Sequence, residues 1–238
     1  QAYIDTGYVT QDWLTANELA LKDLVELATR AFTLAEKGLS DTEGVDERRA
    51  IAVEIDGLLQ QAVEVGNTQH QGKSIFAGFS VNTRPYVYNG PGVAVTSPLA
   101  STADQMRQSI APGQTPLLMN ISGHDELRPL FDALSSVYNA LQPTYNAGAL
   151  QAALGAVATA LDRIKDVRTE NGARQRQLQS EMDRLEETKI ALKSLLSARE
   201  DVNLAEAISM LKQQETVYQA VLQVGSRAVT PSLFDYLR

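Results

Sequence analysis

The stretch "LAEAISMLKQQETVYQAVLQVGSRAV", Leu204 to Val229, decides how the chain is read. Leu204, Ile208, Leu211, Glu215, Tyr218, Leu222, Gly225 and Val229 follow one another at alternating steps of four and three. That is the spacing of one face of a helix and of a coiled-coil seam; a strand would alternate every second residue. Asp201 or Asn203 is placed to cap the start, and Thr230-Pro231 is expected to end the helix before the apolar tail "SLFDYLR". A seam of this kind is stable only against a partner strip. The candidate interface therefore comprises Leu204, Ile208, Leu211, Tyr218, Leu222, Val229, Leu233, Phe234 and Leu237. Internal packing and a neighbouring subunit are both open as the partner.

Upstream, the region from about Ala149 to Arg199 repeats the theme, with Leu150, Val157, Ile164, Asn171, Leu178, Leu185, Leu192 and Arg199 at steps of seven. The polar "RTENGARQ" around Asn171 and Gly172 is expected to weaken or bend this seam, since glycine costs about 1 kcal/mol relative to alanine inside a helix. At the other end of the chain, Leu14, Leu21, Val25, Ala28, Phe32 and Ala35 predict a helix from about Thr10 to Lys37, with Gly38 as its C-cap. Ile51, Ile55, Leu58 and Ala62 predict a second from Asp46 to Val65, stopped by Gly66 and Asn67.

Every proline except Pro231 lies between Pro85 and Pro143, which sets a middle segment apart from the helical flanks. "IFAGFSVNTRPYVYNGPGVAV" alternates apolar and polar residues between Gly and Pro breaks, with Asn89-Gly90 as a hairpin-type turn. The expected fold is mainly α: an elongated bundle of long antiparallel helices, a small β-rich inserted domain and a C-terminal coiled-coil-forming helix. The expected division is 1–73 and 127–200 for the two halves of the helical body, 74–126 for the insertion and 201–238 for the terminal assembly helix.

Much chemistry is excluded. A formal charge of −8 and the lack of any basic block argue against nucleic acid and anionic membrane as partners. Cysteine is absent, so disulfides, thiolate metal sites and cysteine catalysis do not arise. No apolar run reaches bilayer length and no charged-then-apolar leader opens the chain. "GNTQHQGKS" (Gly66–Ser74) ends like a phosphate-binding loop, but Asn67 holds the position of the first glycine and the segment leaves a helix for strands, the reverse of the required order. His70 and His124 are expected as solvated loop residues, not metal ligands. No catalytic, cofactor or metal residue emerges. A secondary candidate is surface binding through Arg84, Tyr86 and Tyr88 of "RPYVYNGPG", since exposed aromatics and arginine are common anchors for a glycan or receptor.

The run from "RTENGARQ" through "EDVNLAEA" to "PSLFDYL" resembles the C-terminal half of the bacterial flagellin family. There a long helix ends at a short acidic turn and a final helix closes in a Pro-Ser-Leu-Leu-Asp-Phe-Leu-like tail. "LKDLVELATRA" and "IAVEIDGLLQQAVEVGNTQ" resemble the family's first long helix and its returning helix. "NTQHQGKSIFAG" resembles its Asn-x-Thr-x-Phe-Asn-Gly turn, in the form found in the hook-filament junction branch. The resemblance implies a non-enzymatic structural subunit of the flagellum, joining hook to filament by helix packing between subunits, with filament flagellin or a surface-binding homologue as alternatives. Implied partners are the hook-side junction protein, flagellin, further copies of itself, and an export chaperone on the C-terminal segment. Implied too are an extracellular location, export through the flagellar type III apparatus without a cleavable signal, and a helical segment before Gln1 that pairs with the terminal seam.

Overall fold

The computed structural model describes residues 2–40, 42–97, 105–111, 113 and 115–235, with the side chains of 201–203 and 228–235 outside that description. By contacts the chain divides into Gln1–Leu185 and Glu186–Arg238. The first unit opens with helix α1 (Ala2–Gly38) and helix α2 (Val45–Gly66). Two two-residue strands follow, β1 (Gln69–His70) and β2 (Lys73–Ser74), and a second such pair, β3 (Arg107–Gln108) and β4 (Leu117–Leu118). Helices α3 (Gly123–Glu126), α4 (Arg128–Leu141) and α5 (Ala147–Asp235) complete the order.

The periodic apolar positions build one large core, and Leu14 and Leu178 join Ile110, Leu117 and Met182 in a smaller cluster. Leu21, Leu24 and Ala28 of α1, Ile55 and Leu59 of α2, Phe131 and Leu134 of α4, and Val157 and Ile164 of α5 are all at most 1% exposed. Burying each leucine, isoleucine or phenylalanine contributes about 1.5–3 kcal/mol. Direction follows from the contacts. Gly7 meets Met182, Leu14 meets Asn171, Glu18 pairs with Arg168 at 2.6 Å, and Gly38 meets Leu150, so α1 and the first part of α5 run antiparallel. Helix α1 starts well before Thr10 because Ile4, Gly7 and Thr10 prolong its buried strip. Gly7 is needed for that: a Cβ there would stand 3.0 Å from the Met182 sulfur.

Several local expectations are corrected. Gly38 is the last residue of α1, and its φ is not positive; it is small because Leu141 Cδ2 lies 3.0 Å from where its Cβ would be. Arg48 instead caps the last α1 carbonyl, its Nε donating to Gly38 O (3.1 Å), and ties down the loop that follows, its Nη2 donating to Ser40 O (2.9 Å). A cation at a helix C-terminus also suits the macrodipole. The interruption expected at Asn171-Gly172 does not occur. Asn171 is fully buried and donates Nδ2 to Leu14 O at 2.9 Å, and Gln175 Nε2 donates to the same oxygen at 3.0 Å, so the polar step in the seam clasps α1. Nor does "EDVNLAEA" break the helix: no Gly or Pro stands between Ala173 and Val224, and the Ala, Leu and Glu residues on either side favour continuation. Pro231 also lies inside α5, close to its end, where it removes one backbone donor.

The insertion is mostly loop. The β1–β2 hairpin that leads into it turns at Gln71 (φ 51°) and Gly72 (φ 75°), the paired positive φ values of a tight two-residue turn. Asn89-Gly90 instead sits in a wider loop closed by a single Val87–Thr96 bridge. Asn67 fastens this segment to the end of α2. Its Oδ1 accepts from Tyr86 N at 2.9 Å while Nδ2 donates to Tyr86 O at 3.0 Å, so the side-chain amide substitutes for a neighbouring strand. The residue in the phosphate-loop position of a first glycine is thus a structural clamp.

Candidate assembly surface

The second unit is helical throughout its described part, and every described side chain from Leu204 to Arg227 is exposed. Leu204, Ile208, Leu211, Tyr218 and Leu222 retain 62, 46, 57, 66 and 55% of their exposure. At 3.6 residues per turn these five fall within an arc of about 80°. A single exposed leucine is unremarkable, but a contiguous apolar strip marks an interaction site. Val229, Leu233, Phe234 and Leu237 of the expected interface lie outside the described side chains, so their placement is not part of this surface.

A second strip escaped the sequence reading. Met210, Val217, Val221 and Val224 are also exposed, and with Gln214 they repeat the same four-three spacing. This face is turned about 130° from the first, and it lines a shallow hollow with Gln213 and Tyr218. The signal was present in the sequence, hidden by attention to one register. One helix carrying two seams can pack against neighbours on two sides, whereas a two-stranded coiled coil needs one.

The secondary candidate residues are not presented together. Arg84 is exposed but its Nη2 is held by Glu64 Oε1 at 2.6 Å. Tyr86 is 1% exposed, its ring 4.8 Å from that of Phe131 in an edge-to-face pair, and burial followed by the Asp125 charge pushes its phenol well above the usual range. The expectation of an exposed Tyr86 is corrected: the aromatic anchors the insertion to the helical core. Tyr88 is half-buried and donates to Asp56 at 2.6 and 2.8 Å; burial first, then that bond, push its pKa up to about 12. It edges an open groove of about 790 Å³ between α1 and α2, lined by Asp23, Glu26, Arg30 and Glu64 among others.

His70 is not a freely solvated loop residue either, because β1 lays its ring 6.2 Å from that of Trp13 on α1. His124 contacts Asp125 (3.2 Å) and Arg128. Among the described residues no group of three His, Cys, Asp or Glu side chains is placed to hold a metal ion, and no helix is long and apolar enough to cross a membrane.

Residues 154–237 match the bacterial flagellin C-terminal helical region, which includes both exposed strips. No curated protein sequence matches the chain. Among solved structures it is similar to FlgL of Bacillus cereus, at 26% identity and a TM-score of 0.67, over 80% of this chain and 93% of that one. FlgL of Xanthomonas campestris shares the fold at 16% identity, with a TM-score of 0.73 over 82% and 96% of the two chains. The flagellar junction protein FlgL of Legionella pneumophila does so at 15% identity, with a TM-score of 0.65 over 75% and 95%.

Proposed function

We propose that this chain, a member of the flagellin family, is an axial subunit at the junction of flagellar hook and filament and works by helix packing between subunits. The observation that carries this reading is the pair of exposed apolar strips on the terminal helix. Each of the five residues of the first strip has about half its surface still to bury, worth about 1 kcal/mol apiece on the scale of 1.5–3 kcal/mol for a whole side chain. Such a strip has no use in a free subunit. It favours assembly over catalysis, because its product is buried area and no bond is made or broken.

In this reading the first seam takes a partner helix along its apolar strip. The second seam then faces a neighbouring subunit. The partners are other axial proteins and further copies of the chain, with an export chaperone covering the seams before assembly. The location is the extracellular flagellum, reached through the flagellar export apparatus.

Filament flagellin is the competing reading, favoured by the match of the terminal region to flagellins. Immunogold labelling of isolated native filaments separates the two. A band confined to the hook boundary is the expected result, and label along the whole filament would replace the junction role with the filament one.

A further inference from the structure

The chain contains two Asn-Gly pairs, Asn89-Gly90 and Asn171-Gly172, and the structure places them in opposite chemical situations. Asn-Gly is the pair most prone to intramolecular imide formation, because glycine has no side chain to keep its backbone nitrogen from the preceding carboxamide. The reaction needs a free backbone N–H, a carboxamide that can swing onto it, and water.

Asn89 is exposed, in the loop closed by the Val87–Thr96 bridge. Gly90 has φ +116°, and among the described residues nothing accepts from its N–H, while its carbonyl accepts from Val93 N at 3.1 Å. Gly92 is held against α4, with its carbonyl accepting from Asn139 Nδ2 at 2.8 Å, so the loop keeps its shape while its tip stays in water. Asn89 Nδ2 donates to Ala94 O at 2.9 Å and to Thr96 Oγ1 at 3.2 Å. These are surface bonds that exchange with water, so they slow the carboxamide without immobilising it. Asn171 is the reverse case. Its side chain is fully buried and bonded to Leu14 O, and Gly172 lies inside α5, where its N–H belongs to the helix. Reaction there requires opening the packed α1–α5 contact.

We propose that Asn89 is a site of spontaneous deamidation in the folded protein and that Asn171 is protected from it. The Gly90 nitrogen bonds to Asn89 Cγ, the Cγ–Nδ2 bond breaks, and Nδ2 leaves as ammonia with the proton from Gly90 N. Water then opens the cyclic imide at either carbonyl, giving aspartate or isoaspartate. The net change is one water in and one ammonia out. The product carboxylate cannot donate, so the change adds a negative charge to the loop and removes the tie to Ala94 O, while Thr96 Oγ1 must turn from acceptor to donor to keep its own.

The folded protein, aged in mildly alkaline buffer, tests this by peptide mapping with tandem mass spectrometry and by enzymatic methylation of isoaspartate. Acid at position 89 is expected to accumulate more than about tenfold faster than at position 171, because only the second requires local unfolding. In urea both should convert at similar rates. Asn89→Gln should remove the more acidic species that appears on ageing. The proposal is overturned if Asn89 keeps its amide while the excised peptide loses it, if Asn171 converts in the folded state as fast as Asn89, or if the acidic species persists in Asn89→Gln.

Discussion

Leu211→Asp separates folding from assembly. Leu211 lies in the second unit, and 57% of it is exposed, so the substitution removes little that the folded chain uses. Surface changes of this kind usually stay within about 0.5 kcal/mol. In the assembled state the sum is different. The five-residue strip contributes about 4–8 kcal/mol of further burial, taking half of the 1.5–3 kcal/mol available per side chain. The aspartate forfeits its own share of about 1 kcal/mol and adds an unpaired buried carboxylate, which costs several kcal/mol more. The perturbation is therefore comparable with what the strip supplies. In the natural full-length protein, circular dichroism and the melting temperature should match wild type, while incorporation into flagella, read by immunolabelling and motility, should be lost. Ser209→Asp adds the same charge on the polar side of that helix and should assemble normally. Normal incorporation of Leu211→Asp would refute the seam, and equal loss in Ser209→Asp would show that added charge alone is responsible.

Arg48→Ala should lower stability by about 1–2 kcal/mol, since two hydrogen bonds to carbonyls and the guanidinium 3.8 Å from the Tyr145 ring centroid are lost together; Arg48→Lys should recover only part, for want of the planar fork, with thermal unfolding as the measure. Gly66→Ala should cost about 1–3 kcal/mol by overpacking, because its Cβ would stand 2.8 Å from the Tyr86 ring and 3.1 Å from that of Phe131; an unchanged denaturation midpoint would contradict the close approach. Tyr88 should ionise near pH 12 in an ultraviolet titration, and Tyr88→Phe should remove that step. Its folded pKa lies above the unfolded value near 10, so its contribution to stability is complete below pH 10 and declines as pH rises from 10 through 12.

Much of the helical body was legible in the sequence because periodicity is a local property. The apolar positions of α1, α2 and α5 recur at helical steps whatever they pack against, and a seam such as Leu204 to Leu222 shows itself without its partner. Composition alone removed thiol chemistry. Local signals also misled where the deciding contact was remote in sequence. Asn171-Gly172 looked like a weak point until Leu14 O, on another helix, was found to accept from Asn171. Gly38 looked like a cap, but its size is set by Leu141, and capping falls to Arg48. Tyr86 had the appearance of a surface anchor because aromatics grouped with an arginine in a turn-rich segment are common binding residues, yet Asn67 pairs with its backbone and Phe131 covers its ring. Sequence determines which faces are apolar. Which polar group is buried, which glycine is crowded and which Asn-Gly pair meets water depend on segments brought together from far along the chain, and only the tertiary structure decides them.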